Sequence, residues 1–192
     1  MSYTFSFLIG YLFGSIPTAY LFLLWKKGLD ITKFGSGNVG ALNSFRVSKS
    51  KPLAATVFII DLLKGLVSVL FIKYLYPNEY FLPMITLAAA VLGHCYSPWI
   101  RFKGGRGLAT AAGGALLLSI PMLVQWIFWW LLSFFIKKNV HLASIAASLL
   151  TMIISIIAVN FFNVGSGIHA LNNFEFGTSL SFVFIIILTK HM

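Results

Sequence analysis

Long apolar runs separated by short polar clusters dominate this chain. The runs fall at about residues 3–24, 53–75, 80–98, 108–120, 122–136 and 142–162, and a seventh follows the polar segment 163–177 and reaches residue 189. A helix needs roughly 20 apolar residues to cross a hydrocarbon core. Most of the runs meet or approach that length, while 108–120, 122–136 and the seventh fall short of it. Pro17 lies inside the first run, and Pro121 closes the fourth. The pattern predicts an all-α, polytopic integral membrane helix bundle of seven transmembrane helices, folded as one domain over residues 1–192. Its longest polar connection is 25–52. No basic region precedes the first run, and no small-residue cleavage site comes before Trp25-Lys26-Lys27, so that run reads as a retained span.

Composition narrows the class. Hydrophobic residues make up 59% of the 192 and charged residues only 9%, which argues against a soluble enzyme, a disordered chain or a disulfide scaffold. A single cysteine, Cys95, excludes an internal disulfide. The net charge of +10 would suggest nucleic acid in a soluble protein. In a membrane protein it points instead to orientation, anionic lipid or an anionic substrate. With seven spans, one side collects Lys26, Lys27, Lys33, Arg46, Lys49, Lys51, Arg101, Lys103, Arg106, Lys137, Lys138 and Lys190, twelve of the fourteen basic residues, while Glu79 and Glu175 fall on the other. The positive-inside rule then places the N-terminus outside and the C-terminus in the cytoplasm.

The candidate chemistry sits in the cytoplasmic loops. The first reads Gly35-Ser36-Gly37-Asn38-Val39-Gly40-Ala41-Leu42-Asn43-Ser44-Phe45-Arg46. It contains G-x-G-x-x-G, yet no buried strand precedes it, and Ala41-Leu42 stand where a P-loop requires Lys and Ser/Thr. What remains is an anion site: glycines that let backbone N–H groups converge, neutral donors at Ser36, Asn38 and Asn43, and the Arg46 fork. The alternative is a tight glycine turn whose Ser and Asn satisfy their own backbone. The second loop, Lys103-Gly104-Gly105-Arg106-Gly107, repeats glycines beside cations on the same side, so two phosphates held near each other fit the pair. Its alternative is an ordinary positive-inside loop.

Within the second run, Asp61 and Lys64 lie three residues apart on one helix face, either orienting the site above them or forming a structural ion pair. Of His94, His141, His169 and His191, none belongs to H-E-x-x-H, and none has an acid five residues later. No metal and no cofactor is therefore called for. His94 is a candidate acid/base or phosphate donor, or else a packing histidine. His169 falls on the outer side.

The first loop motif, followed by Lys103-Gly104-Gly105-Arg106-Gly107-x-Ala109-Thr110, resembles the acyl-phosphate:glycerol-3-phosphate acyltransferase (PlsY) family of bacteria. Gly14-Ser15-Ile16-Pro17, Asp61-x-x-Lys64-Gly65, Gly93-His94-x-Tyr96-x-Pro98, Leu142-Ala143-Ser144-Ile145 and Lys190-His191 match in the family's order. The resemblance implies a seven-span enzyme of the bacterial inner membrane with its active site at the cytoplasmic face. Its substrates would be acyl phosphate and glycerol 3-phosphate, its surroundings the lipid bilayer, and nucleic acid no partner. It would acylate the sn-1 hydroxyl and yield lysophosphatidic acid and phosphate.

Carried over by position, Ser36, Asn38, Arg46 and His191 would be catalytic. Gly35, Gly37, Gly40, Asn43, Lys103, Gly104, Gly105 and Arg106 would bind phosphate, with Asp61, Lys64 and His94 in support. The donor's own phosphate is the preferred proton acceptor on this reading, and His191 the alternative. Leu42 stands where the family usually has Thr. The family's Asn two residues after the histidine is absent, since the sequence stops at Met192, and its loss would weaken acceptor positioning more than donor binding. A transporter of anionic lipids would place polar residues through several spans, whereas midspan charge is confined to Asp61 and Lys64. A non-catalytic homologue is the other alternative.

Overall fold

The computed structural model describes residues 1–158 and 173–191, with side chains from 181 onward in the second stretch. Among the described residues every regular element is helical. The order is α1 (Ser2–Ser15), α2 (Thr18–Lys27), α3 (Ala41–Ser48), α4 (Lys51–Leu75), α5 (Phe81–Cys95), α6 (Leu108–Leu118), α7 (Ile120–Lys137), α8 (Val140–Ile157) and α9 (Asn173–Thr189), with single 3₁₀ turns at Ile31–Lys33 and Pro98–Ile100. Among the described residues, five segments are long and apolar enough to cross a membrane: α1 with α2, α4, α5 with its following turn, α7 and α8. His169 and positions 163–172 of the polar segment lie outside the described residues, and its remainder already belongs to α9.

Three boundaries differ from the hydropathy pattern, each for a local reason. The first run is two helices, because Pro17 has no N–H to donate and its ring opposes a continuous helix. The carbonyls freed at the break find partners elsewhere: Ser15 accepts from Ser97 Oγ at 2.5 Å, and Ile16 accepts from Lys64 Nζ at 2.5 Å. The connection 25–52 holds a turn capped by Asp30, which accepts from Thr32 N at 3.0 Å, and the short helix α3. Pro121 does not close the fourth run. The chain breaks at Ser119, and Pro121 sits in the first turn of α7, where a missing N–H costs nothing.

Tight packing comes from small residues rather than bulk, as expected where lipid is as apolar as leucine. Helix α5 is central, and α1 lies against it where Gly10 and Gly14 face Thr86, Ala89 and Ala90, with Gly93 facing back toward Tyr11 and Ser15. Helix α6 lies on α4 through Gly65 and Gly113, and Thr110 Oγ1 donates to the Asp61 carbonyl at 2.9 Å. At the other end of α6, Lys73 Nζ donates to the Leu117 carbonyl at 3.4 Å. So α6 covers only the second half of α4, between Asp61 and Lys73. It is short because the connection before it enters the bundle to the depth of Asp61. By contrast α7 has no buried residue and is tied to α8 by Trp126 Nε1 on Ser148 Oγ and Trp130 Nε1 on Ser144 Oγ, both at 3.1 Å.

Candidate active site

The first glycine loop is shaped by one buried amide. Gly35 and Gly37 take φ of +62° and +70°, which favour glycine, and the turn they make brings Asn43 of α3 back across the loop. Asn43 Oδ1 accepts from Ser36 N at 3.0 Å, while Nδ2 donates to the Phe34 and Asn38 carbonyls, each at 3.0 Å. The Gly37 amide donates to the Phe34 carbonyl at 3.1 Å. Two of the loop's amides are thus bonded within it rather than presented to an anion. Asn43, only 2% exposed, holds the loop together with its polar groups already engaged. The outward groups are the side chains of Ser36 and Asn38. Beyond Gly40, the first turn of α3 carries N–H groups with no intrahelical acceptor.

The second loop is built differently. Gly104 N donates to the Cys95 carbonyl at 3.1 Å and Gly105 N to the His94 carbonyl at 3.0 Å, satisfying the end of α5. A Cβ at Gly104 would collide with those carbonyls, and one at Gly105 with the His94 ring. These two glycines clamp the loop onto α5, so their amides are not the anion cradle that the sequence pattern suggests. His94 packs behind Gly105 with Nδ1 3.7 Å from Asp61 Oδ1, and Asp61 Oδ1 lies 2.6 Å from Lys64 Nζ. All three are buried, and His94 backs the loop instead of facing solvent as an acid, base or phosphate donor. Asp61 and Lys64 therefore brace the site from beneath, as an ion pair tied to the α1–α2 break.

A polar cavity of about 370 Å³ joins the two loops. Ser36, Asn38, Leu42, Asn43 and Arg46 form one wall, and Arg106 enters from the second loop. Lys138, Asn139, Val140 and His141, at the start of α8, complete it. Three cations and no carboxylate appear among the described residues that line it. Burial, and after it the Arg46 charge, draws the Arg106 guanidinium below its ordinary pKa. Two like charges facing one cavity repel until an anion comes between them. Lys103 is exposed and lies outside this lining.

His191 arrives from the end of α9. Its ring stacks on His141 with centroids 5.1 Å apart, and the two Nδ1 atoms lie 3.1 Å apart. Lys190 Nζ sits 4.4 Å over the Tyr96 ring, and Tyr96 Oη donates to Thr189 Oγ1 at 3.0 Å, fixing this terminus on the end of α5. Burial, then Arg106 and His141, pushes the His191 pKa down to about 4, so the ring is neutral at pH 7. Sequence reasoning missed His141, Lys138 and Asn139. The available signal was that they share the predicted cytoplasmic side with both glycine loops. Among the described residues no three His, Cys, Asp or Glu side chains gather as metal ligands.

Two apolar pockets lie between the helices. One pocket begins at Leu108, two residues beyond Arg106, and runs between α5, α6, α7 and α9 along Leu87, Ala111, Met122, Trp126 and Phe184. A second, of about 370 Å³, lies between α1, α5 and α9 beside Phe7, Ile85 and Phe182.

Comparison with known proteins gives one consistent answer. Residues 4–192 match the family described as glycerol-3-phosphate acyltransferase. A glycerol-3-phosphate acyltransferase of Helicobacter pylori (strain HPAG1) is 36% identical over 193 residues, covering 96% of this chain and 86% of the relative. One from Ehrlichia canis (strain Jake) is 39% identical over 153 residues, covering 79% and 78%. Among solved structures, the crystal structure of PlsY, an integral membrane glycerol 3-phosphate acyltransferase, in its glycerol 3-phosphate form, superposes with a TM-score of 0.80 at 31% identity. That match covers all of this chain and 88% of PlsY.

Proposed function

This chain belongs to the glycerol-3-phosphate acyltransferase family, and from that premise we propose that it transfers an acyl chain from acyl phosphate to the sn-1 hydroxyl of glycerol 3-phosphate. The products are lysophosphatidic acid and phosphate. The observation that carries the reading is that the guanidiniums of Arg46 and Arg106, from two separate loops, line one cavity with no carboxylate among the described lining residues. Such a site is relieved by polyanions, and two phosphate-bearing substrates supply them.

The chemistry needs little beyond approach and orientation, because acyl phosphate already carries a good leaving group. Arg46 and Arg106 hold the two phosphates, with Lys103 drawing anions toward the entrance. Ser36, Asn38 and the first turn of α3 face the donor carbonyl, where negative charge develops. The hydroxyl oxygen of glycerol 3-phosphate attacks that carbonyl carbon, the ester bond forms, and the carbon–oxygen bond to phosphate breaks. The hydroxyl proton goes to the donor's own phosphate, which carries it away as the leaving group, while neutral His191 packs against His141 at the cavity wall. The acyl chain extends into the apolar space that begins at Leu108.

The same reading makes residues 1–192 one membrane-embedded domain of the bacterial inner membrane. Helices α6 and α9 join the five longer segments as the sixth and seventh crossings, with the N-terminus outside and the cavity at the cytoplasmic face. The reach of α6 from Asp61 to Lys73 along α4 supports that count, as does the collection of basic residues on one side.

The test is product formation by the purified protein in detergent with palmitoyl phosphate and glycerol 3-phosphate, against palmitoyl-CoA as the other donor. Phosphate release with lysophosphatidic acid from palmitoyl phosphate is the expected result. Product from palmitoyl-CoA alone overturns the donor assignment, and product from neither overturns the activity.

A further inference from the structure

The short turn between α7 and α8 brings a third cation to the polar cavity, and no sequence motif includes it. Lys138 lines that cavity together with Arg46 from α3 and Arg106 from the second loop. The turn holds it in place: Lys138 N donates to the Phe134 carbonyl at 2.8 Å, and the residue takes φ of +52°. That left-handed conformation at a helix end favours glycine, so a lysine is kept there against the backbone's preference. Its neighbour Asn139 caps α8, with Oδ1 accepting from His141 N at 2.9 Å and from Leu142 N at 3.2 Å. The Nδ2 end of that amide is therefore the one left to donate toward the cavity that Asn139 also lines. Lys137, one residue earlier, is exposed and lies outside the lining.

Charge arithmetic shows what a third cation is for. A phosphate group carries about 1.5 to 2 negative charges at pH 7, so two such substrates bring roughly three to four. Two guanidiniums answer only part of that. The Arg46 charge helps draw the Arg106 guanidinium below its ordinary pKa, so the two arginines are close enough to share one phosphate. The donor's phosphate belongs between them, because its carbonyl has to meet Ser36, Asn38 and the first turn of α3, the helix that carries Arg46. The acceptor's phosphate reaches at most the edge of that pair and lacks a cation of its own. We propose that Lys138 is that cation: it binds the phosphate of glycerol 3-phosphate, with Asn139 Nδ2 as a neutral donor beside it, and so sets affinity for the acceptor rather than the donor. Its purpose rests on the acyl-transfer reading above; the contact itself is judged by binding.

Two measurements test this. In steady-state kinetics with the detergent-solubilised protein, Lys138→Ala is expected to raise KM for glycerol 3-phosphate about tenfold, the scale of one charge-assisted phosphate contact. Its KM for palmitoyl phosphate and its kcat should change by about twofold or less, the pattern of lost ground-state binding. Lys138→Arg, which keeps the charge, retains most of the affinity. Lys138→Gly shows the same rise in KM with a melting temperature at or above that of the wild type, because glycine relieves the left-handed backbone. Lys137→Ala, which removes the adjoining cation from the same helix end, leaves every constant unchanged. Equilibrium binding of radiolabelled glycerol 3-phosphate to the same proteins needs no turnover, and Lys138→Ala weakens it to the same degree.

An unchanged KM for glycerol 3-phosphate in Lys138→Ala overturns the proposal, as does a rise confined to palmitoyl phosphate or an equal rise in Lys137→Ala. If Lys138→Ala does not fold, Lys138→Gly decides. If the wild type binds glycerol 3-phosphate and makes no product, the acyl-transfer reading fails while the binding comparison still judges Lys138. A wild type that binds no glycerol 3-phosphate overturns both.

Discussion

The two glycine-and-cation loops have nearly the same composition and opposite uses. In the first, glycine supplies positive φ, and the turn it makes is closed by Asn43 from the following helix. The loop's side chains are thereby left facing a cavity. In the second, glycine supplies the absence of a Cβ, so that the chain can lie against the end of α5. There Arg106 alone is delivered to the cavity, and the remainder is held by His94, Asp61 and Lys64 from beneath. A glycine beside a cation is therefore ambiguous until the partners of its amide are known. The first loop presents several side chains to the cavity, and the second presents Arg106.

That contrast can be broken by substitution. The largest effect is expected for Arg46→Ala, which removes an exposed side chain that contacts substrate on the proposed reading. Turnover should fall by about a hundredfold or more, with the melting temperature nearly unchanged, consistent with the loss of a charge-assisted phosphate contact. Equal thermal destabilisation would show that the first loop is structural too. Next comes Gly105→Ala in the clamped loop, where the new methyl meets the His94 ring. Overpacking of this kind costs about 1–3 kcal/mol, so unfolding should move to lower temperature and activity should fall because Arg106 is displaced. Full stability in this variant would refute the clamp.

A pH profile sharpens the comparison without altering either loop. His191, packed against His141 at the cavity wall, has its pKa in the free protein pushed down to about 4, so its charge appears only in acid. After correction for the substrates' own ionisation, kcat/KM should hold as pH falls through 6.5 and decline only nearer 4. A limb at 6.5 in kcat/KM would show that an exposed histidine, not His191, governs activity. The smallest effect is expected for Lys103→Ala, in which an exposed cation at the entrance is lost. A change of about threefold or less, fading with added salt, would fit screened attraction. A loss rivalling that of Arg46→Ala would put Lys103 at the phosphate after all.

Much of the architecture was legible because hydropathy reports contact with lipid. Each apolar run folds as helix over the residues the structure describes. What hydropathy does not report is the partner of each backbone group. Pro17 splits a run of uninterrupted apolar character because carbonyls freed at Ser15 and Ile16 have Ser97 and Lys64 to accept from. Helix α3 was hidden inside a polar connection because it is only eight residues long and presents Asn43 and Arg46 to different tasks. Ser36, Asn38, Arg46 and Arg106 meet at one cavity, and their spacing as two motifs had suggested as much. Gly104, Gly105 and His94 were readable as site residues only by type; the hydrogen bonds that make them a brace depend on the approach of α5. His141 stands fifty residues from His191, and no local pattern links them.

The bond from Lys64 to the Ile16 carbonyl also bears on biogenesis. Segments leave the ribosome in order, so the kink at Pro17 enters the membrane before its partner has been made. A nascent chain ending before residue 64 carries that carbonyl without the ammonium that answers it, and waits in an unfinished state. When α4 arrives, Lys64 brings Asp61 with it, so cation and anion partition into the bilayer as a nearly neutral couple. The kinked N-terminal span is thus completed by a later segment, and insertion of α4 becomes the event that commits the first two helices to their final bend.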